Sequence, residues 1–204
     1  MSLSVRDVMS TDLVTVSPAE SARRAWETMR DRRIRHLPVL EGGRLVGILS
    51  DRDLRAVLLS PGLADATVGE LMSEPATTIR PEAPVEDAAS LLVVKKIGCL
   101  PVVEKERLIG IVTETDLLAV LVELLGLLSQ STRLDVVVPG GPAAYEKVVE
   151  VIRRNRGQIM SVGAVPGGGG ETIFSVRLEP CDSRPIVSAL SRAGFQVLSP
   201  GAPT

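Results

Sequence analysis

IRHLPVLEGGRLVGILSDRD, residues 34–53, decides the fold because the chain says it twice. Residues 97–116 read IGCLPVVEKERLIGIVTETD, 63 positions later. At that offset the match runs without a gap from Val5/Val68 to Leu58/Leu121, through the identical pairs Met9/Met72, Pro38/Pro101, Gly47/Gly110 and Asp53/Asp116. One register held over so many positions is an internal tandem repeat. Two copies are too few for a solenoid. They predict a pseudo-twofold pair, each copy covering the apolar face the other exposes.

Each copy reads as a mixed α/β unit. In the first, Leu13–Val16 is a predicted strand. Ser17-Pro18-Ala19-Glu20 then carries a helix-start signal, with a capping serine, a proline suited to the first turn and a glutamate closing a capping box. The helix is expected to reach Arg32 and to bury Ala22, Ala25, Trp26 and Met29. Leu37–Leu40 and Leu45–Leu49 form a hairpin around Glu41–Arg44. Ser50 starts a second helix, which Ser60-Pro61-Gly62 ends. In the second copy Thr77–Ile79 is the strand, Pro81 starts the helix, and Thr113 starts the last one. That last helix runs on through Ala119–Leu128, apolar nearly all round. It is shorter than a membrane span and contains Glu123. The expectation is a helix buried between domains or between subunits.

The remaining residues repeat nothing. Ser129–Ser131 reads as a linker, and residues 131–200 give strand, helix, strand, strand, helix, strand. That is the split βαβ order of ferredoxin-like folds. The predicted domains are therefore 1–62, 63–128 and 131–200, in an α/β (α+β) chain.

Composition sets limits. With 45% apolar and 24% charged residues the chain is ordinary for a globular protein. A net charge of −2 offers no field to recruit nucleic acid. The first residues carry no basic region followed by an apolar run, so no signal peptide is read there. Two unclustered cysteines fit a reducing cytoplasm better than a disulfide framework. A single histidine argues against a zinc site. His36 and Cys99 hold equivalent places, as a Cys–His pair would require, but no oxyanion donor or orienting group supports catalysis.

Ser50-x-x-Asp53 and Thr113-x-x-Asp116 carry two readings. Either acid closes a capping box at a helix start, or its carboxylate accepts two hydrogen bonds from a vicinal diol beside a helix N-terminus that favours phosphate. Arg30, Arg32, Arg33, Arg35 and His36 form a basic cluster, and Arg52 lies within SDRD. Arg30 and Arg32 read as a solvated helix end. Arg35, His36 and Arg52 are the candidate phosphate partners. Gly98, Cys99, Glu114 and Thr115 stand at the matching places, so one side should be basic and the other close to neutral. No aromatic interleaving supports nucleic-acid binding.

The pattern Leu-Pro-Val, turn, apolar strand with Gly47 or Gly110, then Ser/Thr-x-x-Asp resembles the CBS domain pair, or Bateman module. The last 70 residues look like an ACT domain in order of elements. The arrangement as a whole, with SDRDL in one copy and IGCLPVV and TETDLL in the other, resembles the acetoin utilization protein B family. The resemblance implies a regulatory, non-catalytic protein that holds an adenine nucleotide or an adenosyl compound such as S-adenosylmethionine between the copies. It assigns Asp53 and Asp116 to the ribose, with Ser50 and Thr113 beside them. The adenine would lie between Val14–Thr15–Val16 and Thr77–Thr78–Ile79, its edge read near His36–Leu37–Pro38 and Cys99–Leu100–Pro101. Gly140 and Gly141 mark the turn where ACT-like domains take a small ligand such as an amino acid, or are turn residues only. A homodimer and a regulated protein partner are implied, with no metal and no membrane. The competing class is an assembly adaptor without ligand.

Overall fold

The computed structural model describes residues 3–58, 66–126, 129–139 and 141–200. They divide into two compact units, Met1–Leu118 and Ala119–Thr204.

The first unit contains both copies of the repeat except the end of the last helix beyond Leu118. In one copy β1 (His36–Glu41) pairs with β2 (Arg44–Ser50), Leu37 opposite Leu49. In the other, β3 (Cys99–Glu104) pairs with β4 (Arg107–Thr113), Leu100 opposite Val112. The hairpin turns need two successive positive-φ residues. Gly42 and Gly43 supply them in the first copy, and Lys105 and Glu106 take the same conformation in the second. Helices α2 (Ala22–Arg32) and α3 (Asp51–Leu58) belong to the first copy; α5 (Val85–Lys95) and α6 (Glu114–Leu124) belong to the second. As their spacing predicts, Ala22, Ala25 and Met29 are buried and Trp26 packs beside them.

The leading helices are exchanged. α1 (Val5–Val8) lies over the second copy, and α4 (Val68–Leu71) over the first. Val5 is fully buried in the core of Ile79, Ala88, Leu92, Leu100, Val102 and Val112. Val68 is fully buried with Met29, Leu37, Leu49 and Leu54. The Val5 and Arg6 N–H groups donate to the Ala83 and Pro81 carbonyls, both at 2.9 Å. The Val68 and Gly69 N–H groups donate to Glu20 and Pro18 at 2.8 and 2.9 Å. The chain after each helix then bridges the other copy's hairpin, Ser10 to Ile111 and Ser73 to Ile48.

This exchange explains where the structure departs from local signals. The helix expected from Pro18 begins at Ala22, capped by Ser21, which accepts from Arg24 N–H at 3.3 Å. Residues 18–22 are engaged by the crossing chain, so the Ser17 N–H bond to Glu20 at 2.9 Å closes only a turn. The same holds after Pro81, where α5 begins at Val85. The predicted strands Leu13–Val16 and Thr77–Ile79 shrink to single parallel bridges, Val16 to Val39 and Ile79 to Val102. The Ser60-Pro61-Gly62 stop lies outside the described residues.

The apolar helix ends short of the predicted Leu128. α6 ends at Leu124 and has no buried residue, with Leu118, Leu121 and Leu124 all exposed. Leu127 and Leu128 lie outside the described residues. Among the described residues no helix is long and apolar enough to cross a membrane.

The second unit runs β5 (Thr132–Pro139), α7 (Gly141–Arg154), β6 (Ile159–Pro166), β7 (Glu171–Leu178), α8 (Arg184–Arg192) and β8 (Gln196–Pro200). The sheet order is β6-β7-β5-β8, with every neighbouring pair antiparallel. This is the predicted ferredoxin-like topology. Alternate β5 residues Leu134, Val136 and Val138 meet Val148 and Ile152 of α7 and Ile186 and Leu190 of α8, so both helices cover one sheet face. Tyr145 stacks on Phe174, centroids 4.8 Å apart.

Gly110 and Gly47 are where the crossing chains come closest. A Cβ on Gly110 would stand 2.5 Å from Met9 Sδ and 3.1 Å from the Ser10 carbonyl oxygen. Gly110→Ala is expected to cost about 1–3 kcal/mol by overpacking, read as a lower urea midpoint. Adding Met9→Ala should make the double variant less destabilised than the sum of the two single losses. Strict additivity would contradict the contact.

Candidate functional site

Because the crossing chains bring each copy's lead-in against the other's hairpin, two related cavities form in the first unit. One, of about 320 Å³, takes Ser10, Asp12, Leu13 and Val14, then Arg33–His36 and Pro38, from the first copy. From the second it takes Ile111, Thr113, Thr115 and Asp116. The other, of about 310 Å³, takes Ser73, Pro75, Ala76 and Thr77, then Lys96–Cys99, from the second copy. The first contributes Arg35, His36, Ile48 and Ser50–Asp53, and Glu114 closes it. Both volumes lie in the range of small-molecule sites.

Asp53 and Asp116 occupy equivalent places in the two cavities. The Ser50 N–H and Oγ–H both donate to Asp53 Oδ2, at 2.8 and 2.6 Å. The Thr113 N–H and Oγ1–H donate to Asp116 Oδ2 at 2.8 and 2.7 Å. The acid's own N–H returns to the hydroxyl at 3.4 and 3.3 Å. Both motifs are therefore capping boxes. The caps use Oδ2 alone; among the described residues Oδ1 of neither acid accepts a bond. Each carboxylate is fixed at a helix N-terminus with one oxygen left for a donor.

The arginines separate. Arg52 lines the Asp53 cavity with Lys96, Gly98 and Cys99, whereas Arg33 lines the Asp116 cavity. Arg35 and His36 line both. The sequence expectation of one basic and one neutral side gives way to two cavities of mixed charge, because each is built from both copies. Arg33 and Lys96 hold equivalent left-handed positions, φ 55° and 54°, ending α2 and α5. Non-glycine residues seldom adopt that conformation, and here it sets a cation at each rim.

Several expected residues do not reach a cavity. Val16, Leu37, Ile79 and Leu100 are buried in the cores. Pro101 is buried without lining a cavity, and Thr15 and Thr78 are exposed outside both. Val14 and Val16 would share a face only in a continuous strand, and the chain there is not one. Conversely, Ser10, Asp12, Ser73 and Pro75 line the cavities with no signal in the sequence, because the exchange that places them is non-local. In the second unit Gly140 lies outside the described residues and Gly141 begins α7.

The titrating groups have distinct states. Burial pushes the Cys99 thiol up to about 12, so it is protonated at neutral pH and is no thiolate nucleophile. His36 is held below its ordinary value, first by burial and then by Arg35, against the opposing pull of Asp51, Glu114 and Asp53. A Cβ on Gly98 would stand 2.8 Å from its Cε1 and Nε2. The ring thus fills the space that glycine leaves. Among the described residues no cluster of His, Cys, Asp and Glu could hold a metal.

Two α/β copies with exchanged leading helices, and two clefts each lined by both, define a tandem two-cleft module. The CBS domain family matches residues 5–60 and 68–123, and the chain belongs to it. Solved structures agree. A putative acetoin utilization protein from Vibrio cholerae is 32% identical, with TM-score 0.57 over 63% of this chain and 96% of that one. CBSX2, a CBS-pair protein from Arabidopsis thaliana, was solved in complex with AMP. It is 32% identical, with TM-score 0.54 over 59% of this chain and 96% of that one. The CBS domain pair of protein MJ0100, solved with 5′-methylthioadenosine and S-adenosyl-L-methionine, is 28% identical, with TM-score 0.55 over 59% and 97%.

His36 is the sole histidine, which makes its stability contribution separable. Its folded pKa lies below the unfolded value of about 6.5. The unfolded chain then binds the proton more readily, and stability falls as pH drops through that value. Between about pH 7.5 and pH 5.5 the wild-type Tm should fall more steeply than that of His36→Gln. Parallel slopes would contradict the burial of a neutral imidazole.

Proposed function

We propose that this chain is a non-catalytic regulatory protein that senses an adenosine-containing ligand in the two clefts of its CBS pair. One observation carries the reading: each cleft presents a carboxylate pinned through Oδ2 by a Ser or Thr cap, with Oδ1 taking no bond among the described residues and so left for a ribose hydroxyl. The AMP complex of CBSX2 and the S-adenosylmethionine complex of MJ0100 support adenosine as the common element. Val14 or Thr77 would flank the base, and Arg33, Arg35, Arg52 and Lys96 would face phosphate. The ligand changes the relative placement of the copies, and a regulated protein reads that change.

The second unit is an ACT-like module that takes a small ligand or pairs with a second copy. Its ferredoxin-like sheet order supports this. The exposed Leu118, Leu121 and Leu124 of α6 favour assembly as a homodimer, whether or not ligand is bound. The likeness to the Vibrio cholerae protein supports kinship with the acetoin utilization protein B family, and two unclustered cysteines fit a cytoplasmic setting.

Calorimetry against AMP, ADP, ATP, NAD and S-adenosylmethionine tests the reading. At least one should bind with micromolar affinity. Absence of heat and of thermal shift for all five would leave the adaptor reading standing. Asp116→Asn should keep Tm within a few degrees and weaken binding at its cleft by about 1–3 kcal/mol. A lower Tm with unchanged affinity would make the acid a cap only.

Arg52 is exposed at its cleft, so its effect must be electrostatic and screened. Arg52→Ala should weaken ATP more than AMP, with the gap closing as salt is raised. Equal losses at all salt concentrations would remove Arg52 from the phosphate site.

A further inference from the structure

The first copy places Arg35-His36 where the second has Gly98-Cys99. This breaks the symmetry of the two clefts. Gly98 and Cys99 line only the Asp53 cleft, whereas His36 lines both. Its ring occupies the place a Cβ at residue 98 would need. The charged groups acting on it are Arg35 beside it, Asp51 and Asp53 from α3, and Glu114 from α6.

Resting on the adenosine-ligand reading, we propose that His36 is a wall common to both clefts, through which filling one weakens binding in the other. A neutral imidazole has one N–H donor, and a protonated one has two. At neutral pH the ring can therefore donate to a ligand phosphate on one side only. The second ligand meets a wall already turned away from it. Protonation supplies the second donor, so the mutual penalty shrinks as pH falls. Such coupling is reciprocal between the sites.

AMP is the probe, and the imidazole Cε1–H resonance of the single histidine is a direct reporter. Thr77→Trp closes the Asp53 cleft to AMP and Val14→Trp closes the Asp116 cleft, neither offering His36 a phosphate. Asp53→Asn and Asp116→Asn provide a second pair if either tryptophan prevents folding. AMP should move the His36 resonance in both members of a pair. Each cleft alone should bind AMP at least about five-fold more tightly than it does in wild type with the other cleft filled. His36→Ala should abolish that difference, and Gly98→Ala, which displaces the ring, should reduce it. A resonance that moves in only one member of the pair, or a difference that survives His36→Ala, overturns the proposal and leaves the adenosine reading intact. Failure of AMP to bind the wild type overturns this proposal, whereas the adenosine reading falls only when ADP, ATP, NAD and S-adenosylmethionine fail as well.

Discussion

The exchange of the leading helices is the constraint on which the first unit depends. Val5 and Val68 each complete the core of the copy to which they do not belong by sequence. Fully burying a valine is worth roughly 1.5–3 kcal/mol, so neither copy closes its core without the other's helix. The chain following each helix is then carried over the opposite hairpin, through the room left by Gly47 and Gly110. Both clefts are products of that crossing. A residue from one copy meets a capped acid from the other only because the helices are exchanged.

Pseudo-symmetry supplies two clefts, and substitution makes them differ. The capped acids are kept in both copies, as are the left-handed cations at residues 33 and 96. Around them Asp12 stands against Pro75, Val14 against Thr77, and Thr115 against Arg52. A shared scaffold with unlike linings suits a device that responds differently to one ligand and to two. The largest difference is at residues 35–36 against 98–99, next to the pseudo-twofold.

Much of this was legible in the sequence. The offset of 63 gave the repeat, the Gly42-Gly43 turn gave the hairpin, and Ser50-x-x-Asp53 gave the cap whose geometry the structure bears out. The βαββαβ order of the second unit was also readable, because each element there has its own period and punctuation. What failed was non-local. Ser17 and Glu20 carry a helix-start signal, yet they close only a turn because residues 18–22 bond to the crossing chain. Val16 and Ile79 have the composition of ligand-facing strand residues but serve the cores. Arg35 and Arg52 are close in sequence, and the exchange distributes them over clefts in a way that spacing cannot show. α6 is apolar nearly all round, yet Leu118, Leu121 and Leu124 are exposed among the described residues, while Leu117 packs on the core of the second copy.

A crystal structure of the chain grown with AMP tests the central claim most directly. The account predicts ligand in a cleft lined by both copies, its ribose on Oδ1 of Asp53 or Asp116. The base should lie against Thr77 or Val14, the lead-in residue of the opposite copy. Ligand bound within one copy alone, or with its ribose away from both acids, would contradict it.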